Sequence, residues 1–345
     1  MMRSDFVTRS IAATGAAALS LALSLALSLG AASAEDKTYT MKITLPTLND
    51  PSHTFAKSYA AALEKDSGGR IKVEIYPASQ LGAIPRQIEG TQFGAIQCAF
   101  IPPEFFVGVD ERFELMAAPG LVDNIDHGQR LAADPEVKKL MLGLGANKGL
   151  HGVALFMNSP SSLIEKAPIR HLADFKGKKI RVLASKFQTT PLEKLGATPV
   201  AMTLADVVPA LQQGAIDAAV GGIVVFTPMH FQDAAKYVTE TGQPAVFVVV
   251  EVNKAWYESL PDDLKKIVDN DAAAGQAAIG PVARDIVEKS RKGWTDTGGE
   301  LISLPADEQA AYMKTSLEAD AEVSKAKPEL AEAYKIVAEA AARTR

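Results

Sequence analysis

Two short stretches of this chain carry one pattern, and that pattern narrows the folds open to it. Gln92-Phe93-Gly94-Ala95-Ile96-Gln97-Cys98-Ala99 is matched by Gln212-Gln213-Gly214-Ala215-Ile216-Asp217-Ala218-Ala219. Each copy reads as the end of a helix, a glycine free to take the left-handed conformation, and a short buried strand. An IKV or IRV strand precedes each copy, at Ile71 and at Ile180. Two similar α/β lobes, one around each copy, would produce this. So would independent use of the same helix–glycine–strand chemistry. The start of the folded region agrees with the α/β class. Tyr39, Met41, Ile43 and Leu45 alternate with Thr40, Lys42 and Thr44 as a strand. After the loop PTLNDPSH, Phe55, Tyr59 and Leu63 share one helix face, closed by Gly68-Gly69. Ile71, Val73 and Ile75 form a second strand ended by Pro77, which completes a βαβ unit.

The first 34 residues read as a secretory leader. Arg3 and Arg9 supply a basic start, Ile11 to Gly30 an Ala/Leu/Ser stretch, and Ala32-Ser33-Ala34 a small-residue cleavage site. The stretch is marginally long enough for an anchor, but its Ala/Ser content and cleavage site favour removal, with a mature start near Glu35. The remaining 311 of 345 residues can build two domains with cores of their own. The formal charge is −5, and −6 without the leader, whose Arg3, Asp5 and Arg9 sum to +1. That balance disfavours a nucleic-acid partner. Cys98 is the single cysteine, so no intrachain disulfide can form and an exported chain must rely on its core.

Two prolines fall in helical patterns. Thr203 with Asp206 looks like a helix start, yet Pro209 follows within the next turn. Either that helix begins nearer Asp206 or it is kinked. Pro281 lies within a helical region running from Pro261 to about Trp294, where a bend is expected.

The chemistry centres on Arg181. Ile180, Val182 and Leu183 surround it in a strand of the kind buried on both faces. A guanidinium there needs an anion from the protein or from a ligand, or a route past the sheet edge. IPPEFFVGVDERFE follows the strand of the first copy, so Phe100, Glu104, Phe105 and Phe106 can line a cleft or fill a core under a loop. His53, in the loop after the first strand, is a ligand contact or a helix-capping surface residue. Gly221 and Gly222, after the second copy, let backbone N–H groups approach an anion or form a plain turn. Other chemistry is poorly supported. The five histidines are scattered without metal-site spacing, and no cofactor motif appears. There is no GxSxG, and Cys98 lies in an expected buried strand. GLGANKG, Gly143 to Gly149, lacks the ending of a phosphate loop.

The segments GGRIKVEIYPASQLGA (Gly68 to Ala83), EGTQFGAIQCAF (Glu89 to Phe100), DFKGKKIRV (Asp174 to Val182), LGATPV (Leu195 to Val200), ALQQGAIDAAV (Ala210 to Val220) and VNKAWYESLPDDLKKIV (Val252 to Val268) stand in order. In this arrangement the chain resembles the substrate-binding proteins of tripartite ATP-independent periplasmic (TRAP) transporters over nearly all of its length after the leader. The resemblance implies a two-lobed periplasmic-binding-protein-like α/β fold with mixed sheets, a hinge and a long bent helix crossing both lobes. It implies that Arg181 meets the substrate carboxylate. Two departures stand out. Where some members carry a second arginine, this chain reads FMNSPSSLI, with Ser161 and Ser162. Where many follow a VDG-type motif with Glu or Asn and a Pro, it has Val220, Gly221 and Gly222. Both remove polar groups from the expected pocket and favour a small, more apolar monocarboxylate, aromatic or branched-chain, over a sugar acid.

The expectation is a periplasmic solute-binding protein, not an enzyme and without a cofactor. Residues 1–34 are its signal peptide, 35–158 with 247–286 one lobe, and 159–246 with 287–345 the other. A small organic acid anion would bind Arg181, Phe100, Glu104, His53, Ser161, Gly221 and Gly222. The loaded protein would deliver it to the small and large integral membrane subunits of an ion-gradient-driven importer. The alternatives are a binding protein of an ATP-driven importer, a sensory receptor's ligand-binding partner, or an exported enzyme.

Overall fold

Strand β1 (Tyr39–Thr44) and strand β2 (Ile71–Tyr76) pair in parallel along their whole length, joined by helix α1 (Pro51–Asp66). The sequence Asp50-Pro51 starts that helix. Asp50 accepts the His53 backbone N–H at 2.9 Å, and proline occupies a first-turn position whose missing N–H costs nothing. Phe55, Tyr59 and Leu63 are buried, and Gly68 and Gly69 take positive φ after the helix. The computed structural model describes residues 37–345; the leader and its cleavage site lie outside the described residues.

The chain continues through α2 (Ile84–Phe93), β3 (Cys98–Ile101), α3 (Ile125–Ala133), α4 (Pro135–Met141), β4 (Leu150–Glu165), β5 (Lys179–Val182), α5 (Lys186–Lys194), β6 (Thr198–Ala201), α6 (Val207–Gln213) and β7 (Ala218–Gly222). It ends with α7 (Ile223–Phe226), β8 (Tyr237–Thr239), β9 (Ala245–Asn253), α8 (Lys254–Glu258), α9 (Asp262–Asp296), β10 (Glu300–Ile302), α10 (Ala306–Val323) and α11 (Pro328–Arg343). The strands run in the order β2-β1-β3-β9-β4-β7-β5-β6, with β8 on the other edge of β4 and β10 on β8.

That order holds one arrangement twice. β1 is parallel to β2 and β3, and β3 is antiparallel to β9. β5 is parallel to β6 and β7, and β7 is antiparallel to β4. The long strand β4 joins the halves: Leu150–Pro160 pairs with β9, and Ser161–Glu165 with β7. Both repeat copies form the expected device. Gly94 (φ 84°) ends α2 before β3, and Gly214 (φ 70°) ends α6 before β7.

The preceding strands do not correspond as expected. Ile71 opens β2, an outer strand, whereas Ile180 lies in β5, which is paired on both sides. The counterpart of β5 is β1. Ile43 and Thr44 stand opposite Cys98 and Ala99, as Ile180 and Arg181 stand opposite Ala218 and Ala219. Arg181 therefore occupies the place that Thr44 holds in the first half.

Pro209 is the third residue of α6, after a 3₁₀ turn at Leu204–Asp206, so no helical hydrogen bond is lost. Thr203 donates to the Asp206 carboxylate at 2.8 Å instead of capping the backbone. Helix α9 continues unbroken through Pro281 and packs on α1 in one half and on α7 and β10 in the other. Tyr39–Arg345 form one compact unit whose largest apolar cluster includes Ile101, Phe113, Phe247, Phe226 and Trp294. Among the described residues, no helix is long and apolar enough to cross a membrane.

Candidate functional site

The ends of the two repeat strands meet at one cavity. Phe100 of β3, with Pro102 after it, lines one side, and Gly221 and Gly222 of β7 line another. Arg181 of β5 and Leu183 after it, Val246 and Val248 of β9, and Asn158 of β4 add to the wall. The β1–α1 connection contributes Thr47 and Asp50, and the first turn of α1 contributes Ser52. Ile84, Phe105, Leu204 and Val225 complete a largely apolar surface. The position, beyond the carboxyl ends of β3 and β7, is where open α/β sheets place ligands.

Arg181 is 2% exposed. Its Nε donates to the Met202 carbonyl at 2.9 Å and Nη1 to the Val220 carbonyl at 2.7 Å. Both acceptors are neutral, and they fix the plane of the guanidinium. Among the described residues no carboxylate makes an ion pair with it. Burial pulls its pKa down to about 10, opposed by the nearby Glu104, so it remains a cation at neutral pH. Glu104 does not act as its counter-ion. Burial pushes that carboxyl up to about 8, against the pull of Arg181, and the charge of Glu114 adds to the rise. The result is a fixed cation beside a neutral acid, at the edge of an apolar cavity.

A second polar group faces the same space. Asp50 is fully buried, and burial raises its pKa while the backbone of His53 and the side chains of Thr47, Ser52 and Asn158 oppose the rise. Ser52 Oγ donates to Asn158 Oδ1 at 2.9 Å.

Four of the seven residues singled out from the sequence, Arg181, Phe100, Gly221 and Gly222, come together on this wall. Three do not. His53 lies in the first turn of α1, where its Nδ1 accepts the Asn49 N–H at 3.1 Å; it closes the helix start and is not part of the wall. Glu104 is buried and is not part of the wall. Ser161 lies three residues beyond Asn158 on β4, and side chains alternate along a strand. It borders a separate groove with Glu240, Gln309 and Arg291. The residues missed were Asp50, Ser52 and Asn158. Asp50-Pro51 was readable as a helix start, and Asn158 is a lone amide after an apolar run, but neither pattern says which way a side chain points.

The model of the bacterial extracellular solute-binding protein family 7 matches residues 44–326. The chain belongs to this family. It is a substrate-binding protein of the TRAP type. It is 28% identical to the C4-dicarboxylate-binding periplasmic protein DctP of Rhodobacter capsulatus over 74% of this chain and 78% of that one. It is also 28% identical to an uncharacterized protein, YiiZ, of Salmonella typhimurium, over 63% of this chain and 66% of that relative's length. Among solved structures, a TRAP periplasmic solute-binding protein from Desulfovibrio salexigens with bound orotic acid is similar with a TM-score of 0.84 and 24% identity. That match covers 89% of this chain and all of the other. The family's α/β fold with mixed sheets is the fold described above.

Proposed function

We propose that the protein works in the periplasm, takes up a small organic carboxylate between two lobes, and catalyses no reaction on it. The lobes are residues 35–158 with 247–286 and residues 159–246 with 287–345, hinged where the chain crosses between them. The carboxylate meets Arg181, and the ligand body lies against Phe100, Phe105, Val246 and Val248. The observation that carries this reading is a buried guanidinium that lines an apolar cavity, held by two carbonyls and, among the described residues, answered by no carboxylate. A planar anion satisfies such a fork through paired hydrogen bonds. The apolar wall favours a monocarboxylate with an aromatic or branched body. Orotic acid, a planar carboxylate bound by a protein of the same fold, is consistent with that shape. The loaded protein then delivers its solute to the small and large membrane subunits of an ion-gradient-driven importer. A thermal-shift screen of the protein against carboxylates tests the ligand class. A ligand at about 100 times its dissociation constant stabilises by about 2.7 kcal/mol. Stabilisation by neutral sugars or cations, and by no carboxylate, would contradict the reading.

A further inference from the structure

One carboxylate of the first lobe sits on a helix of the second. Glu114 stands in the 3₁₀ turn Glu111–Ala117, on the chain that runs on from β3, and is 5% exposed. Its Oε2 accepts the Lys186 N–H at 2.8 Å and the Ser185 hydroxyl at 3.1 Å, at the start of α5. Helix α5 does not need this carboxylate as a cap. Ser185 already supplies one, its Oγ accepting the Phe187 N–H at 3.1 Å. Burial raises the pKa of Glu114, and the Lys186 N–H and the Ser185 hydroxyl oppose the rise. A buried carboxylate is costly. This one recovers the cost only while the lobes touch here, from a first-turn N–H and the positive end of a helix. The contact is tied to the cavity on both sides. Ser185 follows Arg181 in the chain, with cavity-lining Leu183 between them. Glu114 follows Phe113, whose ring packs on Phe106, next in the chain to cavity-lining Phe105.

We propose that Glu114 is a latch between the lobes: its hold on Ser185 and Lys186 stabilises the closed form and sets how long a solute stays bound. This rests on the two-lobe reading above and adds the residue that holds the lobes together from the protein's own side. Glu114 is not part of the cavity wall, so it acts through the position of α5 and of the strand that carries Arg181. Release requires the latch to open, so losing it speeds dissociation. Capture by the open form, in which the latch is not made, is unchanged.

The test reads release and lobe separation. Glu114→Ala removes the acceptor. Lys186→Pro removes the donor N–H at the first helical position, where proline is favoured, and Lys186→Ala removes the same ammonium but keeps that N–H. The probes are benzoate, 3-methylbutanoate and orotate, with dissociation followed by stopped flow. Release from Glu114→Ala and from Lys186→Pro should be at least about tenfold faster than from wild type, with association within about twofold. Lys186→Ala should release at the wild-type rate. Glu114→Ala with Lys186→Pro should be no faster than either alone, because both break one contact. Spin labels on Lys57→Cys and Lys176→Cys, at exposed positions while Cys98 is buried, read the separation without solute. Wild type should hold a larger share of the short distance than Glu114→Ala. Equal distances in these two proteins, equal release rates in wild type, Glu114→Ala and Lys186→Pro, or Lys186→Ala as fast as Lys186→Pro would each overturn the proposal and leave Glu114 a fixed brace of α5. If wild type binds none of the three acids, the carboxylate reading fails, and the distances without solute still decide the latch. If Glu114→Ala does not fold, Lys186→Pro against Lys186→Ala carries both measurements.

Discussion

At Arg181 the cost of burying a cation is met partly by two carbonyls and, among the described residues, by no ion-paired carboxylate. Glu104 makes this possible by staying protonated, and its state should be visible in pH dependence. Its folded pKa, about 8, lies above its ordinary value of 4.5 because of burial. The folded state therefore keeps a proton that the unfolded chain has released. The stability Glu104 contributes is fully present below about pH 4.5 and is lost as pH rises through about 8. Buried Glu165, also pushed up to about 8 by burial, acts in the same direction. Melting temperature should accordingly fall as pH is raised from 5 to 8.5, and Glu104→Gln should flatten part of that fall. Ionised Glu104 also offers Arg181 an internal anion, so carboxylate affinity should weaken above pH 8 in wild type but not in Glu104→Gln. Titrations at pH 7 and 9 check this; equal weakening in both proteins would rule out Glu104 as the cause.

At the scale of elements, the repeat carries most of what the sequence could tell. Helix, left-handed glycine and strand were readable at Gly94 and Gly214 because that device is local. The equivalence of the strands at Ile71 and Ile180 failed because strand order is a long-range property, and an IKV triplet fits an outer strand as well as a central one. Arg181 was legible as a charge in an apolar run, and Asp50 only as a helix cap. Ser161, singled out for its place in the family pattern, borders a separate groove, and the irregular pairing of β4 between Met157 and Ser159 bears on which residues share a face. The contact of α9 with α1 gives a test of packing. A Cβ at Gly275 would overlap Phe55 Cε2, and Phe55 is held edge-on by Phe100, with ring centroids 5.3 Å apart. Replacing a helical glycine by alanine gains up to about 1 kcal/mol, but overpacking costs about 1–3 kcal/mol. Phe55 is 1% exposed and has little room to move. Gly275→Ala should therefore lower stability in urea unfolding, and a stabilised variant would show that α9 and α1 separate easily.

At the scale of the molecule, β4 passes from one half of the sheet to the other, β9 lies beside it, and α9 packs on both halves. Such connections can act as a hinge, as in binding proteins that close on ligand. Small-angle scattering should show a smaller radius of gyration with a saturating carboxylate than without one. An unchanged curve would argue against closure while leaving binding intact. Closure would seal the ligand's carboxylate against Arg181, where removing one partner of a buried charge pair costs about 3–5 kcal/mol. Arg181→Lys should also bind more weakly, since an ammonium cannot reproduce the guanidinium fork. The most direct measurement is calorimetric titration of wild type and Arg181→Ala with the same best-binding acid. The account predicts a folded variant whose affinity is at least about a hundredfold lower. Affinity within a few-fold of wild type would mean that Arg181 only braces the sheet and that the carboxylate binds elsewhere.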